Sequence, residues 1–253
     1  DALPIYYLKS RLFTMPNLCD KESYDCNDLI KIVGILRSPE GCPWDRAQDH
    51  HTIRNNFLEE AYEAVEAIDL ESSALLREEL GDVLLQIALH SQMEAEQGHF
   101  DFNDVCTGIC RKMIGRHPHI FGSEYAVNAA EAAQNWEQQK RKEKGLYSLE
   151  DRLRQVSGAL PALMRAQKLI SRAAASGCFE DPNDCMLRNC LEDALLADET
   201  DVQGWSRLLF LVCERMERLG ISAEEALSRE SDRMIECFLE MQHSEKPTEG
   251  RSL

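Results

Sequence analysis

The side chains with the clearest chemical potential in this sequence are carboxylates, grouped as Leu58-Glu59-Glu60-Ala61-Tyr62-Glu63 and, further along, Glu79-Leu80-Gly81-Asp82. Both groups lie within apolar patterns of helical period, so their directions follow from a rotation of about 100° per residue. On the first helix Phe57, Ala61, Ala64, Val65 and Ile68 centre one apolar direction, with Glu60 and Glu63 on its flank. On the second, Leu76, Leu80, Val83, Leu84 and Ile87 do the same, and Glu79 and Asp82 take the equivalent flank. A short connection favours antiparallel packing of the two helices, which predicts four carboxylates converging at the edge of the seam. Glu59 sits further round.

Four carboxylates held together repel one another and gain protons unless cations neutralise them. Oxygen-only ligands suit Mg²⁺ or Mn²⁺ better than zinc. Magnesium takes one or two carboxylates per ion and keeps water or substrate phosphates as its remaining ligands, so four acids predict more than one ion. A di-iron carboxylate bundle needs Glu-x-x-His on each of two helices, and neither Glu60-x-x-Glu63 nor Glu79-x-x-Asp82 supplies a histidine. Spacing alone leaves a solvated acidic helix face as an equal competitor; the matched flanks favour metal.

The elements that must position these acids are helices throughout. Apolar residues recur at three and four positions along most of the 253 residues and strand-like alternation is nearly absent, which predicts an all-α fold. Helices are expected over 27–37, 52–70, 72 or 73–97, 102–116, 128–144, 161–175, 185–198, 202–219 and 223–242. Pro39, Gly41, Pro43 and Pro118 act as breaks. The expected organisation is an arm or domain remnant over 1–25, an active unit over 26–145, a second unit over 146–243 and a polar tail over 244–253. Met93 to Met113 and Met216 to Met234 share a glycine followed by an acidic helix start at nearly equal spacing, a weak internal repeat.

Composition limits the partners. Hydrophobic residues at 43% allow a buried core, and 45 acids against 28 bases give a net charge of −17, which opposes nucleic-acid polymers and anionic membranes. Uninterrupted apolar stretches fall far short of the ~20 residues of a membrane helix. The 10 cysteines form no Cys-x-x-Cys pair and follow no signal peptide, which predicts reduced thiols in a cytoplasmic protein. Cys106 and Cys110, one turn apart, read as core packing rather than zinc ligands. The sequence opens at Asp1 without a methionine, and an expectation follows that it is part of something longer.

Several ordered motifs add to this. They are Leu36-Arg37 through Gly41-Cys42-Pro43-Trp44-Asp45, Leu58-Glu59-Glu60-x-x-Glu63, Glu78-Glu79-Leu80-Gly81-Asp82-Val83-Leu84, Phe100-Asp101-Phe102-Asn103-Asp104, Arg116-His117-Pro118-His119-Ile120-Phe121, Asn135-Trp136-Glu137-Gln138 and Leu160-Pro161-Ala162-Leu163-Met164-Arg165-Ala166-Gln167-Lys168. From about Leu29 onward the sequence resembles the MazG-type nucleoside triphosphate pyrophosphohydrolases. The resemblance implies tandem helical-bundle repeats and hydrolysis of a nucleoside triphosphate to the monophosphate and pyrophosphate. It implies Mg²⁺ held by Glu60, Glu63, Glu79 and Asp82, and a homodimer.

Glu59 is the candidate for a further metal contact or for the base that orients water. Lys112 and Arg116, one turn apart, are candidates to face the phosphates, with surface bases as the competing reading. In the resemblance Trp136 and Lys140 approach the nucleotide, Trp136 offering a π-face to a base unless it packs in the core. Trp44 is expected to be a structural anchor, and His117 and His119 to cap or brace a loop. In the stretch equivalent to a second site, Leu196 replaces the third acid, Gly204 stands where Glu is expected and Arg207 reverses the charge of the Asp. A guanidinium opposes metal there, so activity is expected from the first unit alone. The alternative is a nucleotide-sensing or assembly module whose chemistry has lapsed.

Overall fold

Helix boundaries follow local capping chemistry. Asp25 opens α1 (Cys26–Arg37) by accepting from the backbone N–H groups of Asn27 and Asp28, while Asp28 bonds back to the Asp25 N–H. Asp101 and Asp104 form the same reciprocal box at the start of α5 (Phe102–Arg116). Proline at the first turn starts two short helices absent from the periodicity reading, α2 (Pro43–Ala47) and α6 (Pro118–Phe121), where a missing N–H costs nothing. Between α1 and α5 lie α3 (Arg54–Asp69) and α4 (Ser73–Glu96), the two helices that carry the acids.

The computed structural model describes residues 18–145, 148–177, 184–196 and 202–244. Among the described residues there are twelve helices and no strand, the all-α class expected. The remaining helices are α7 (Ala129–Lys144), α8 (Leu149–Arg154), α9 (Ala162–Ala174), α10 (Asp184–Leu196), α11 (Val202–Arg218) and α12 (Ala223–Ser244). The polar connector expected after Gly145 contains α8, started by a capping box between Ser148 and Asp151. Most of the expected N-terminal arm and nearly all of the expected tail lie outside the described residues. Two compact units divide between Ala132 and Ala133.

In the first unit, α4 is the central element, packed on α1, α3 and α5. Val33, Ile53, Ala88, Leu89 and Met93 form its buried cluster, with Leu29, Leu85 and Phe102 against them; full burial of a Val, Ile, Leu or Met side chain contributes about 1.5–3 kcal/mol. In the second unit Ile170, Cys213 and Ala223 are the buried cluster, flanked by Leu163, Ala166 and Met216. Buried Gln167 clips that unit together. Its Nε2 donates to the Ile221 carbonyl at 2.7 Å, and its Oε1 accepts from the Ala223 N–H at 2.8 Å.

The connection between α3 and α4 decides their relative direction. Leu70 ends α3, the Glu71 N–H bonds to the Ile68 carbonyl at 3.0 Å and the Ser72 N–H to the Ala67 carbonyl at 3.1 Å, the double bond pattern of a Schellman turn. Glu71 takes a left-handed φ of 52°, a conformation that disfavours any residue with a Cβ. Glu71→Gly is therefore expected to stabilise the protein by about 0.5–1 kcal/mol, measured as a higher urea midpoint with an unchanged m value.

Candidate metal centre

The α3–α4 seam differs from the predicted one in which side chains fill it. Val65, Ile68 and Leu80, expected inside, are exposed, while Ala64 and Ala67 are buried and Phe57 and Ala61 half-buried. The buried side chains of α3 are thus both alanines. Glu60, Glu79 and Asp82 are half-buried, and Glu63 is exposed.

The structure brings three of the four acids together and leaves Glu63 exposed beside them. One carboxylate oxygen from each of Glu60, Glu79 and Asp82 lies within 4.8 Å of the other two. Glu63 lies close enough to Glu79 and Glu60 for its charge to act on both. Glu60 feels Asp82 most strongly among its charged neighbours, and Glu79 feels Glu63, the pairing that antiparallel helices impose. Burial raises the Glu60 carboxyl above the usual glutamate range, and the charges of Asp82, Glu63, Glu59 and Glu79 push it further up. Glu79 is raised by burial first, then by Glu63, Asp82 and Glu78. Each of these influences opposes ionisation.

The donor set fits a hard divalent cation. It is all oxygen, and magnesium holds such ligands at about 2.0–2.1 Å, so two donors on one ion stand at most about 4.2 Å apart. A spacing of up to 4.8 Å closes to that value by small side-chain rotations. Glu59 is exposed on the adjoining face of α3, near enough for its charge to act on Glu60.

The other candidate residues are placed differently. Lys112 is half-buried and Arg116 buried, one turn apart on α5 of the same unit. Trp136 and Lys140 are half-buried on α7, beyond the division between the units, and Lys140 pairs with Glu137 at 3.0 Å. His117 braces its turn as expected, its Nδ1 meeting the Met113 carbonyl at 2.6 Å. In the second unit α10 packs on α11, where Gly204 is half-buried and Arg207 exposed; the side chain of Leu196 lies outside the described residues.

Trp44 corrects an expectation. It is 61% exposed, so it does not anchor its loop. Arg37 does: its Nε and Nη2 each donate to Glu96 at 2.9 Å, and its Nη1 donates to the carbonyls of Asp45 and Gln48 at 2.5 and 3.1 Å. The polar backbone of a proline-interrupted loop needs a donor more than an aromatic ring, and a guanidinium offers five. Gly41 is required by close approach, since a Cβ there would lie 2.2 Å from the Ile35 carbonyl oxygen.

Sequence reasoning also missed a chain of histidines, His50, His90 and His99, joined through Glu94. Residues 40 or more apart share no local period, and only Glu94 and His99 were close enough in sequence to suggest a pair.

No described helix is long and apolar enough to cross a membrane. Residues 48–121 match the family model of the MazG nucleotide pyrophosphohydrolase domain. The chain is 36% identical over 230 residues to a nucleoside triphosphate pyrophosphohydrolase of Escherichia coli, covering 85% of this chain and 86% of that protein. It is 34% identical over 220 residues to the nucleoside triphosphate pyrophosphohydrolase/pyrophosphatase MazG of Thermotoga maritima, covering 85% and 84%. A nucleoside triphosphate pyrophosphohydrolase of Mycobacterium tuberculosis is 37% identical over 152 residues, 59% of this chain and 45% of that protein.

Proposed function

The chain belongs to the MazG nucleotide pyrophosphohydrolase family, and from that premise we propose that it hydrolyses nucleoside triphosphates to monophosphate and pyrophosphate in a Mg²⁺-dependent reaction, removing unwanted nucleotides or adjusting a nucleotide pool. The observation that carries this reading is the convergence of Glu60, Glu79 and Asp82, with Glu63 near them, in a seam where burial and the neighbouring carboxylates oppose the charges of Glu60 and Glu79.

Glu60, Glu63, Glu79 and Asp82 would hold the metal. Bound there, Mg²⁺ supplies the positive charge that lets a triphosphate enter an acidic pocket, polarises the phosphoryl group and activates water. The role of the chain is to keep the oxygens of Glu60, Glu79 and Asp82 converged before the ion arrives, so that little reorganisation is left for the bound state. Glu59 accepts a proton from, and orients, the attacking water. Lys112 and Arg116 offset charge on the leaving pyrophosphate. The exposed stripe of Leu58, Tyr62 and Val65 on α3 supports a homodimer formed through this face.

Incubation with a panel of nucleoside triphosphates and Mg²⁺ tests the reading directly. Pyrophosphate release from at least one nucleotide supports it. Orthophosphate as the product would place cleavage at the wrong bond, and no release from any nucleotide would favour a sensing module whose chemistry has lapsed. Activity is assigned to the first unit, so Arg207→Ala, at an exposed position, is expected to leave kcat/KM within about twofold, as most surface substitutions do. A large loss would give the second unit a share in the reaction.

A further inference from the structure

The turn entering α3 and the second half of α4 are joined by hydrogen bonds that the proposed chemistry leaves unused. His50 Nδ1 faces His90 Nδ1 at 2.7 Å, and His50 Nε2 meets Glu94 Oε1 at 2.7 Å. The other Glu94 oxygen meets His99 Nδ1 at 2.8 Å. The planes of His50 and His90 are within 3° of parallel, with centroids 5.0 Å apart, and Phe57 meets His90 edge-on at 5.8 Å. His50 stands on a rigid turn, in which the Asp49 carboxylate accepts from the backbone N–H groups of His51 and Thr52 at 2.8 and 2.9 Å.

Two ring nitrogens at 2.7 Å need one hydrogen between them, one nitrogen donating and the other accepting. A carboxylate has no hydrogen to give, so His50 Nε2 donates to Glu94. His50 Nδ1 then either accepts from a neutral His90 or, with His50 charged, donates to it. In both forms the two rings together carry at most one extra proton. A second would set N–H against N–H and place two cations 5.0 Å apart in half-buried surroundings, where screening is weak.

We propose that the His50–His90 contact is an acid-released latch that ties the turn entering α3 to α4 and so holds the two acid-bearing helices in register, making His50 and His90 positioning residues of the metal centre. Leverage is direct. Buried Ile53 packs with Ala88 and Leu89 immediately after the latch, and Phe57, which touches His90, lies one turn before Glu60.

The groups facing the latch set its direction. Burial lowers the proton affinity of His90 below the ordinary imidazole value of 6.5, and the charge of His50 lowers it further. Glu94 is held ionised chiefly by its hydrogen bond from His99, against burial and with help from His50. Asp49, on the latch turn, is held low by the backbone N–H groups of Thr52 and His51. From α3 the neighbour is apolar Phe57, and Arg37 of α1 is engaged by Glu96 one half-turn beyond Glu94. A folded-state value below the unfolded one means that the contribution of His90 is fully present above 6.5 and lost as pH falls through the folded-state value.

The positioning role rests on the pyrophosphohydrolase reading; the latch does not. His90→Asn puts an amide near the Nδ1 position, preserving a neutral partner for His50 that cannot be charged. Between about pH 7.5 and about pH 5, the full chain is expected to lose about 3–6 °C more melting temperature than the variant. Its half-saturating Mg²⁺ concentration for thermal stabilisation is expected to rise about threefold more. Equal pH dependence in the two proteins overturns the latch. So does Zn²⁺ raising the melting temperature of the wild type alone, which would make the gap a metal site. A released latch with an unchanged Mg²⁺ requirement overturns the positioning role. If the variant does not fold, long-range ¹H–¹⁵N spectra of the wild-type imidazoles decide: coupled titration of His50 and His90 supports the latch, and independent titration overturns it. Absence of pyrophosphate release from every nucleotide would sink the functional reading while leaving the melting and spectral results on the latch intact.

Discussion

Asp82→Ala and Glu63→Ala are each expected to lower turnover by about 100-fold or more, while circular dichroism should show an unchanged helical content. The magnitude follows from what losing even an outer partner of a metal ligand costs, about 10–100-fold. Both residues lie inside helices, where alanine is the most favourable replacement, and neither belongs to the buried clusters. Glu63 is exposed, so its truncation opens no cavity. A purely solvated acidic face would show no loss at either position. Activity retained in both variants would therefore remove the metal assignment.

Without metal the same acids are expected to work against the fold, and magnesium to reverse this. Glu60 and Glu79 hold their protons more tightly in the folded chain than a free glutamate does. A raised value contributes stability that is present below the unfolded value and lost as pH rises through the folded one. At neutral pH the seam is thus a region of unrelieved repulsion. Mg²⁺ at about a hundred times its dissociation constant should raise the melting temperature at neutral pH by about 5–10 °C, an effect that fades on acidification as protons take the place of the ion. Asp82→Asn removes one charge acting on both glutamates, so the metal-free variant should melt above the metal-free wild type and respond little to Mg²⁺. A variant that is less stable without metal, yet stabilised by Mg²⁺ like the wild type, would show that the seam is not under electrostatic strain.

Such a trade between stability and function explains why the acids were readable from sequence. Glu-x-x-Glu and Glu-x-x-Asp at matching positions on two helices violate the economy of a packed seam, and a local rule broken twice in register marks a site. The helices were equally legible: the first and third expected spans, 27–37 and 72 or 73–97, end within a residue of α1 and α4, because their caps are written in adjacent residues, Asp25 with Asp28 and Ser72 before Leu75. The short helices α2, α6 and α8 were missed because four to six residues carry no period.

What lay beyond the sequence is what depends on distance along it. Rotation about a helix axis gave the angular positions of Glu60 and Asp82 but not how closely the axes approach. In the folded chain α3 buries Ala64 and Ala67, leaves Val65 exposed as α4 leaves Leu80, and Glu60, Glu79 and Asp82 come together half-buried. Trp44 looked like an anchor because its loop is rich in proline, yet the anchor is Arg37, reaching Glu96 from 59 residues away. His50 and His90 gave no signal at all. Patterning within a helix is set by a fixed rotation per residue and can be read from one chain; contacts between helices are set by side-chain volume and by which donor finds which acceptor, and these exist only once the chain has folded.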